Sequence, residues 1–503
     1  MPEHLRALIV ILFLAGIAFH FARRLAGSWV SLPELARRRK LWFVLTLLAF
    51  LTQNFWAYAI VAAIVLAFTT KRESNRVALF FSLLFLIPPA SAQIPGLGLI
   101  NYFFALDHVR LLSLVVLLPA FFALWKDAGT LPFGRTWPDK LLALYLLLAI
   151  ILSLRDSSVT GALRLAFYAF IDVLLPFYVA SRAARDVARL KDAMCAFVVA
   201  ALVLAIVGVF EMSRHWLLYG ALIKALGLEW GYDLYLSRSN YLRASASTGQ
   251  AIALGYVMAV AIGFYLYLQA STHNRLYRRL GGLLLVGGLI APLSRGPWIG
   301  VAALLATYIA TGSQAFRRLG MMALAGLVTL PLLAILPGGG KVIDLLPFIG
   351  SVEKGGITYR EQIIANALIV IQRNPWFGSV DYLKTPEMEA MRQGQGIIDI
   401  VNTYVGIALS HGIIGLGLFV GFFAMTLIGI RKAMRTIPDK DVEMHRLGRA
   451  LFATLTGILV IIATVSSITI IPVVYWSVAG LGVAYAQMVI SARDQERRAK
   501  GVG

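Results

Sequence analysis

GGGKVIDLLPFIGSVEKGGITYREQIIANALIVIQRNPWFGSVDYLKTPEMEAMRQGQGIIDIVN, residues 338–402, runs without a break into TYVGIALSHGIIGLGLFVGFFAM, residues 403–425. The first segment is a long polar insert; the second reads as a long apolar helix. Outward from this pair, nearly all of the chain consists of apolar runs joined by short basic loops. A helix needs about 20 mostly apolar residues to cross the hydrocarbon core of a bilayer, and its backbone polar groups must be satisfied internally. The pattern therefore predicts an all-α polytopic transmembrane helical bundle of about 12–15 spans. Residues 1–503 read as a single membrane domain, with a smaller outer loop at 214–248 and a large one at 338–402. The large loop is the expected site of function, because loops carry function on a rigid scaffold.

Composition agrees. Of 503 residues, 59% are hydrophobic and only 14% charged, with mean hydropathy +0.78. Soluble domains carry about 25% charged residues. A net charge of +21 would suggest nucleic acid in a soluble protein. Here the basic residues fall in short loops between spans, which is the positive-inside pattern, so no nucleic-acid partner is implied. The single cysteine, Cys195, lies inside a span and excludes an internal disulfide or a cysteine-based metal site. The first apolar run, residues 5–21, reads as a helix rather than a removed signal peptide. The block 41–70 has basic clusters at both ends, which favours a hairpin turning at Gln53-Asn54 over one long span.

Sidedness sorts the charges. Basic loops at 182–191, 273–279 and 431–449 and the tail at 493–500 fall inside and need no further explanation. Arg155, Arg214, Arg238, Arg243, Arg295, Arg360, Arg373 and Arg392 are left outside. Arg295 sits in a hairpin tip, Ser294-Arg295-Gly296-Pro297, where glycine permits a tight turn and proline starts the next helix. A guanidinium there presents a planar fork of donors suited to diphosphate; the alternative is an arginine snorkelling to lipid headgroups.

Residues 358–373 have a helical pattern, with Ile364, Leu368 and Ile371 apolar and Glu361, Gln372 and Arg373 polar. Such an amphipathic helix suits the outer leaflet surface. Arg360 would stand near its anion-attracting N-terminus, unless it belongs to a solvated face, and Asn374-Pro375 ends the helix. Asp399 and Asn402 lie one turn apart where the chain re-enters the membrane. An acid there suits a base role, and helix capping is the competing reading. Asp172, inside a span, is a functional candidate expected to pair with a residue of a neighbouring helix. His411 reads as a packed core histidine. A phosphate-binding P-loop and an HExxH are missing from the sequence, and no DxD carboxylate pair falls in the outer loops, which argues against a metal-dependent nucleotide-sugar transferase working there.

Several motifs together resemble the O-antigen ligase and polysaccharide polymerase superfamily of membrane glycosyltransferases. They are Ser294-Arg295-Gly296-Pro297-Trp298; Arg360 followed by an apolar helix and Asn374-Pro375-Trp376-Phe377-Gly378; and Asn402-Thr403-Tyr404 leading to Gly412-Ile413-Ile414-Gly415-Leu416. Arg243 resembles another arginine of the pattern. The resemblance covers roughly residues 243–419. It implies an enzyme of the bacterial inner membrane that works on the periplasmic face without metal or cofactor, which makes the two outer loops periplasmic. The implied donor is a glycan on undecaprenyl diphosphate, the acceptor a glycan or lipid-linked glycan hydroxyl, and the polyprenyl tail lies among spans and membrane lipids. It leaves room for a chain-length regulator. With the residue readings above, Arg295, Arg360, Asp399 and Asn402 become the expected catalytic residues, and Arg243, Arg373, Tyr404 and Asp172 the expected substrate contacts.

Two positions depart from the family pattern. The ligases carry histidine immediately before the asparagine, where this chain has Val401, and the usual glycine two residues after Gly378 is Val380. The loss of the histidine favours a polymerase of exopolysaccharide or O-antigen repeats over a ligase acting on lipid A–core. A lipid-linked sugar flippase is the reading from another class; it should show internal repeats with broken helices in both halves, and no clear self-similarity is present.

Overall fold

The computed structural model describes residues 1–98, 101–155, 158–229, 236–238, 240–335, 354–393, 396–437, 439–440 and 442–499. The start of the large loop, residues 338–353, and Trp230 of the smaller loop lie outside the described residues.

Helix α1 (Glu3–Ala26) is followed by α2 (Leu32–Thr52) and α3 (Phe55–Thr70). The break between the last two falls at Gln53-Asn54. Gln53 takes the left-handed conformation (φ +48°), and the Asn54 side chain accepts from the Trp56 and Ala57 N–H groups, so the turn is a helix end followed directly by a capped start. The basic cluster at 37–40 lies within α2 instead of in a loop. Arg38 is buried there because two carboxylates satisfy it, Asp192 at 2.6 Å and Glu73 at 2.7 Å. Burial alone would push the Glu73 carboxyl up, but hydrogen bonds from Arg38 and Arg37 outweigh it and hold it below its usual range.

Next come α4 (Arg76–Leu83), a short antiparallel hairpin of β1 (Ala92–Pro95) and β2 (Tyr102–Leu106), and α5 (His108–Lys126). Then follow α6 (Trp137–Ser153), α7 (Val159–Ala183), α8 (Val187–Arg214) and the short α9 (Gly220–Ala225). A two-residue hairpin, β3 (Ser237–Arg238) with β4 (Tyr241–Leu242), leads to α10 (Ala251–Leu268), α11 (Arg275–Ile290), α12 (Arg295–Ala310) and α13 (Ala315–Ile335). The segment before the next span carries α14 (Lys354–Arg373) and α15 (Pro386–Glu389). The chain closes with α16 (Thr403–Arg435), α17 (Glu443–Ile462) and α18 (Ile471–Ala499).

Among the described residues, eight helices are long and apolar enough to cross a membrane: α1, α5, α7, α8, α10, α16, α17 and the first part of α18. The protein is a multi-pass helical membrane protein. The larger number expected from hydropathy includes shorter apolar helices such as α3, α6, α11 and α12, which have only 16 or 17 residues.

Helix α8, buried along most of its length, is the axis of the N-terminal half and packs on α1, α4, α10 and α11. In the C-terminal half α12 packs along α17, α16 along α6, and α18 along α7. Small residues set these approaches, since helices in lipid associate by close packing. A Cβ on Gly300 of α12 would stand 2.1 Å from Ile461 Cγ1 and 3.0 Å from the Gly457 carbonyl of α17. Gly300→Val is therefore expected to lower stability by about 1–3 kcal/mol, the usual penalty of an overpacked core, read as a fall in melting temperature of the purified protein in detergent.

Candidate functional site between the outer loops

Helix α16 is broken. Gly412 has φ +68° and ψ −171°, a backbone region that side chains exclude. Into the break fits the turn that ends α14. Pro375 accepts from Ile413 N–H at 2.8 Å, Trp376 accepts from Ile414 N–H at 3.3 Å, and Ser379 N–H donates to the Leu409 carbonyl at 2.8 Å. The turn thus supplies the partners that the broken helix lacks. Gly378 (φ +64°) faces the same gap, where a Cβ would stand 2.4 Å from the Leu409 carbonyl. Arg155, one of the arginines expected outside, clasps the turn from the side by donating to the Phe377 carbonyl at 2.9 Å. The two motifs read separately from the sequence are therefore one structural unit.

Helix α14 starts at Lys354, earlier than the expected 358, because the pair Gly355-Gly356 is incorporated into the helix. Arg360 consequently lies in the second turn on an exposed face rather than at the N-terminus. Ile363, Ala367 and Val370 form a small core with Met388, Met391 and Leu409, while Ile364 and Leu368 point outward at 38% and 53% exposure. A second apolar face, which the pattern reading did not name, thus packs inward, and the exposed Ile364 and Leu368 suit a lipid surface. Arg373 pairs with Glu387 at 3.1 Å, and this hydrogen bond holds the Glu387 carboxyl below its usual range.

Beneath this segment lies a cavity of about 950 Å³, lined by the smaller outer loop, the 382–403 segment, the first turns of α16 and the 466–468 turn between α17 and α18. Arg243 lines it and donates to the Pro292 carbonyl (3.2 Å) and Ser294 Oγ (3.0 Å), which fixes the residues immediately before Arg295. Arg295 opens α12 and is half-buried. On its other side, a Cβ at Gly296 would stand 2.3 Å from Thr464 Oγ1. The hairpin tip is thus held between Arg243 and the 463–467 turn.

Asp399 also lines the cavity. Its Oδ1 accepts from Ser466 Oγ at 2.6 Å and from Val401 N–H at 3.2 Å. Tyr359 of α14 binds its backbone, accepting from the Asp399 N–H and donating to its carbonyl, each at 3.2 Å. Val401, where the ligases carry histidine, has φ +44°. A β-branched residue in this region is an outlier that costs about 1–3 kcal/mol.

The other expected residues fall elsewhere or have other work. Asn402 lines the cavity, and its side-chain oxygen accepts from the Tyr404 and Val405 N–H groups, so it caps α16. Tyr404 donates to the Leu459 carbonyl at 2.9 Å and is not among the lining residues. Asp172 pairs with Arg110 at 2.9 Å on a π-helical turn of α7, away from the cavity. Arg360 and Arg373 do not line it either. His411 bonds Ser410 Oγ at 2.7 Å beside the Tyr145 ring.

Sequence reading missed the hydroxyl groups of the cavity wall. Ser466, Ser467, Thr403 and Tyr475 all line it, with Thr403 Oγ1 3.0 Å from Ser467 Oγ and Ser467 Oγ 3.3 Å from the Tyr475 hydroxyl. In sequence the two serines stand beside Thr464 and Val465 between the last two apolar blocks. Arg392, which pairs with Glu389 at 2.8 Å, is the second cation of the wall.

Gly412→Ala should disrupt this unit. Its Cβ would meet the Trp376 carbonyl at 2.2 Å, in a conformation alanine does not adopt. The expected loss is about 2–5 kcal/mol, with early proteolysis of the 374–400 segment. Gly417→Ala, whose Cβ meets nothing within 4 Å, should behave as wild type in the same melting and proteolysis measurements.

Residues 280–420 match the O-antigen ligase family. An O-antigen ligase of Pseudomonas aeruginosa is 31% identical over 145 residues, which make up 28% of this chain and 32% of that protein. The chain thus matches about a third of the length of its curated relative. The matched segment contains Arg295, the α14 helix with its closing turn, Asp399, Asn402 and the Gly412 break. Residues 280–420 are thus similar to the O-antigen ligase family, the segment in which its motifs lie.

Proposed function

We propose that the protein is a metal-independent glycosyltransferase of the bacterial inner membrane. In this reading it polymerises undecaprenyl-diphosphate-linked oligosaccharide repeats of an exopolysaccharide or O-antigen on the periplasmic face. The observation that carries the reading is that one cavity is lined both by Arg243 and by the carboxylate of Asp399, beside the hairpin tip that bears Arg295. The acceptor hydroxyl attacks the anomeric carbon of the donor as the bond from that carbon to the diphosphate breaks. Asp399 takes the hydroxyl proton. The electron pair of the broken bond stays on the diphosphate, whose growing charge the guanidinium groups neutralise. The hydroxyl-rich wall suits sugar, and the outward Ile364 and Leu368 suit the membrane lipid that surrounds the donor's tail.

A second reading has its own support: the matching family and the relative from Pseudomonas aeruginosa are both called O-antigen ligases. A ligase would move the finished glycan to lipid A–core. Against it stands Val401 in place of histidine, which leaves a carboxylate as the base at hand.

The test is glycan transfer in liposomes with purified protein, chelator and the native lipid-linked repeat. A polymerase yields a ladder of longer lipid-linked glycans. Arg243→Ala and Arg295→Ala should each lower the rate about 100-fold or more, the usual cost of a lost transition-state donor. Asp399→Asn should lower it by about 100- to 10,000-fold. Product only after addition of lipid A–core would make the protein a ligase. Transbilayer movement of labelled lipid without either product would make it a flippase, and loss of all transfer in chelator would overturn metal independence.

A further inference from the structure

A general base is useful only when one of its lone pairs is kept clear and aimed at the proton it takes. Asp399 is held in just such an asymmetric state. Two donors, the Ser466 hydroxyl at 2.6 Å and the Val401 N–H at 3.2 Å, converge on Oδ1. Among the described residues Oδ2 has no hydrogen-bond partner, although the side chain lines the cavity. The backbone of the same residue is fixed on both its polar groups by Tyr359. Val401 itself occupies a left-handed conformation, φ +44°.

The short contact is the one from Ser466, and Ser466 comes from a separate part of the chain, the turn between α17 and α18. That turn is itself anchored. Thr403 Oγ1 donates to the Val465 carbonyl at 2.7 Å, and Thr464 closes against Gly296 next to Arg295. The Ser466 hydroxyl is thus placed by the same packing that places the hairpin tip. A hydroxyl donating to an ionised carboxylate is among the stronger hydrogen bonds available to it.

We propose that Ser466 is the positioning residue of this site: its hydroxyl occupies Oδ1 of Asp399 and leaves Oδ2 to receive the proton of the attacking acceptor hydroxyl. The proposal rests on the assignment of Asp399 as base given above. In the step, the acceptor oxygen forms its bond to the anomeric carbon, the carbon–oxygen bond to the diphosphate breaks with its electron pair leaving on the diphosphate, and the acceptor proton ends on Oδ2. Ser466 itself neither gains nor loses a proton. The arrangement supplies, from the last outer turn, the orientation of the base in a chain that has no histidine at position 401.

The experiment is steady-state transfer by the full-length protein in liposomes, with the native lipid-linked repeat as substrate, for wild type, Ser466→Ala, Ser466→Thr, Asp399→Asn and the Ser466→Ala/Asp399→Asn double variant. Ser466→Ala should lower kcat about 10- to 100-fold with KM for the donor within about twofold, the signature of a contact that matters only in the transition state. Ser466→Thr, which keeps the hydroxyl, should recover most of the rate. The alanine change should add nothing to the residual rate of Asp399→Asn, because residues acting as a unit are not additive. Where that residual rate falls below detection, the kcat–KM split and the threonine rescue decide. If Ser466→Ala is lost from the folded fraction in size exclusion, Ser466→Cys, a much weaker donor of similar size, is held to the same criteria.

A wild-type kcat in the Ser466 variant, a loss confined to KM, or full additivity with Asp399→Asn would overturn the positioning role while leaving the base assignment intact. A wild-type rate in Asp399→Asn would overturn the base assignment and this proposal together.

Discussion

The break in α16 at Gly412 is the constraint on which the outer half of the structure depends. A membrane helix interrupted by one residue leaves N–H and carbonyl groups without partners in a setting where water is scarce. The turn Asn374–Gly378 satisfies them with its own backbone, and only glycine at 378 and 412 lets the two chains approach so closely. Because the turn directly follows α14, seating it also seats α14 and α15 on top of α16. The small core around Ile363, Val370 and Met391 then closes on Leu409, three residues before the break. Tyr359 reaches from α14 to the backbone of Asp399. One backbone junction thereby sets the position of the carboxylate that the proposed chemistry uses.

The remaining wall of the cavity is brought in by close helix packing. Glycines on α12 admit Ile461 and Thr464, so the hairpin tip and the turn after α17 meet. From one side Arg243 binds Ser294; from the other Ser466 binds Asp399. Cation and carboxylate are thus each held by a neighbour that belongs to a different loop. Groups arranged in this way cost little reorganisation when charge develops between them, which is what a displacement at an anomeric carbon with diphosphate leaving requires.

Much of the fold was legible because bilayer thickness imposes its length on apolar runs, and loop arginines impose sidedness. The turn at Gln53-Asn54 was readable from charge alone, and its chemistry is that of an N-cap. Less legible were features in which tertiary contacts override local pattern. Arg38, part of the basic cluster before the 41–70 block, is buried between Asp192 and Glu73; nothing near it in sequence announces carboxylates so far along the chain. The inward face of α14 depends on α15 and Leu409, so Ile363, Ala367 and Val370 went unnamed beside Ile364 and Leu368, which dominate its pattern. In the site, Arg243 and Asp399 were readable because charged side chains at a membrane boundary are costly. Asn402 and Tyr404 matched a motif, yet serve as a cap and a helix-packing donor. Ser466 escaped notice because a hydroxyl between two spans has no spacing signature; only its distance to Asp399 identifies it.

The most direct measurement of the central claim is an electron cryomicroscopy structure of the protein in nanodiscs with a non-hydrolysable lipid-diphosphate oligosaccharide. The account predicts diphosphate density against Arg243 and the hairpin tip, with the first sugar in the cavity facing Asp399. Density seated instead around Asp172 and Arg110, or on the opposite side of the bundle with the cavity empty, would contradict it.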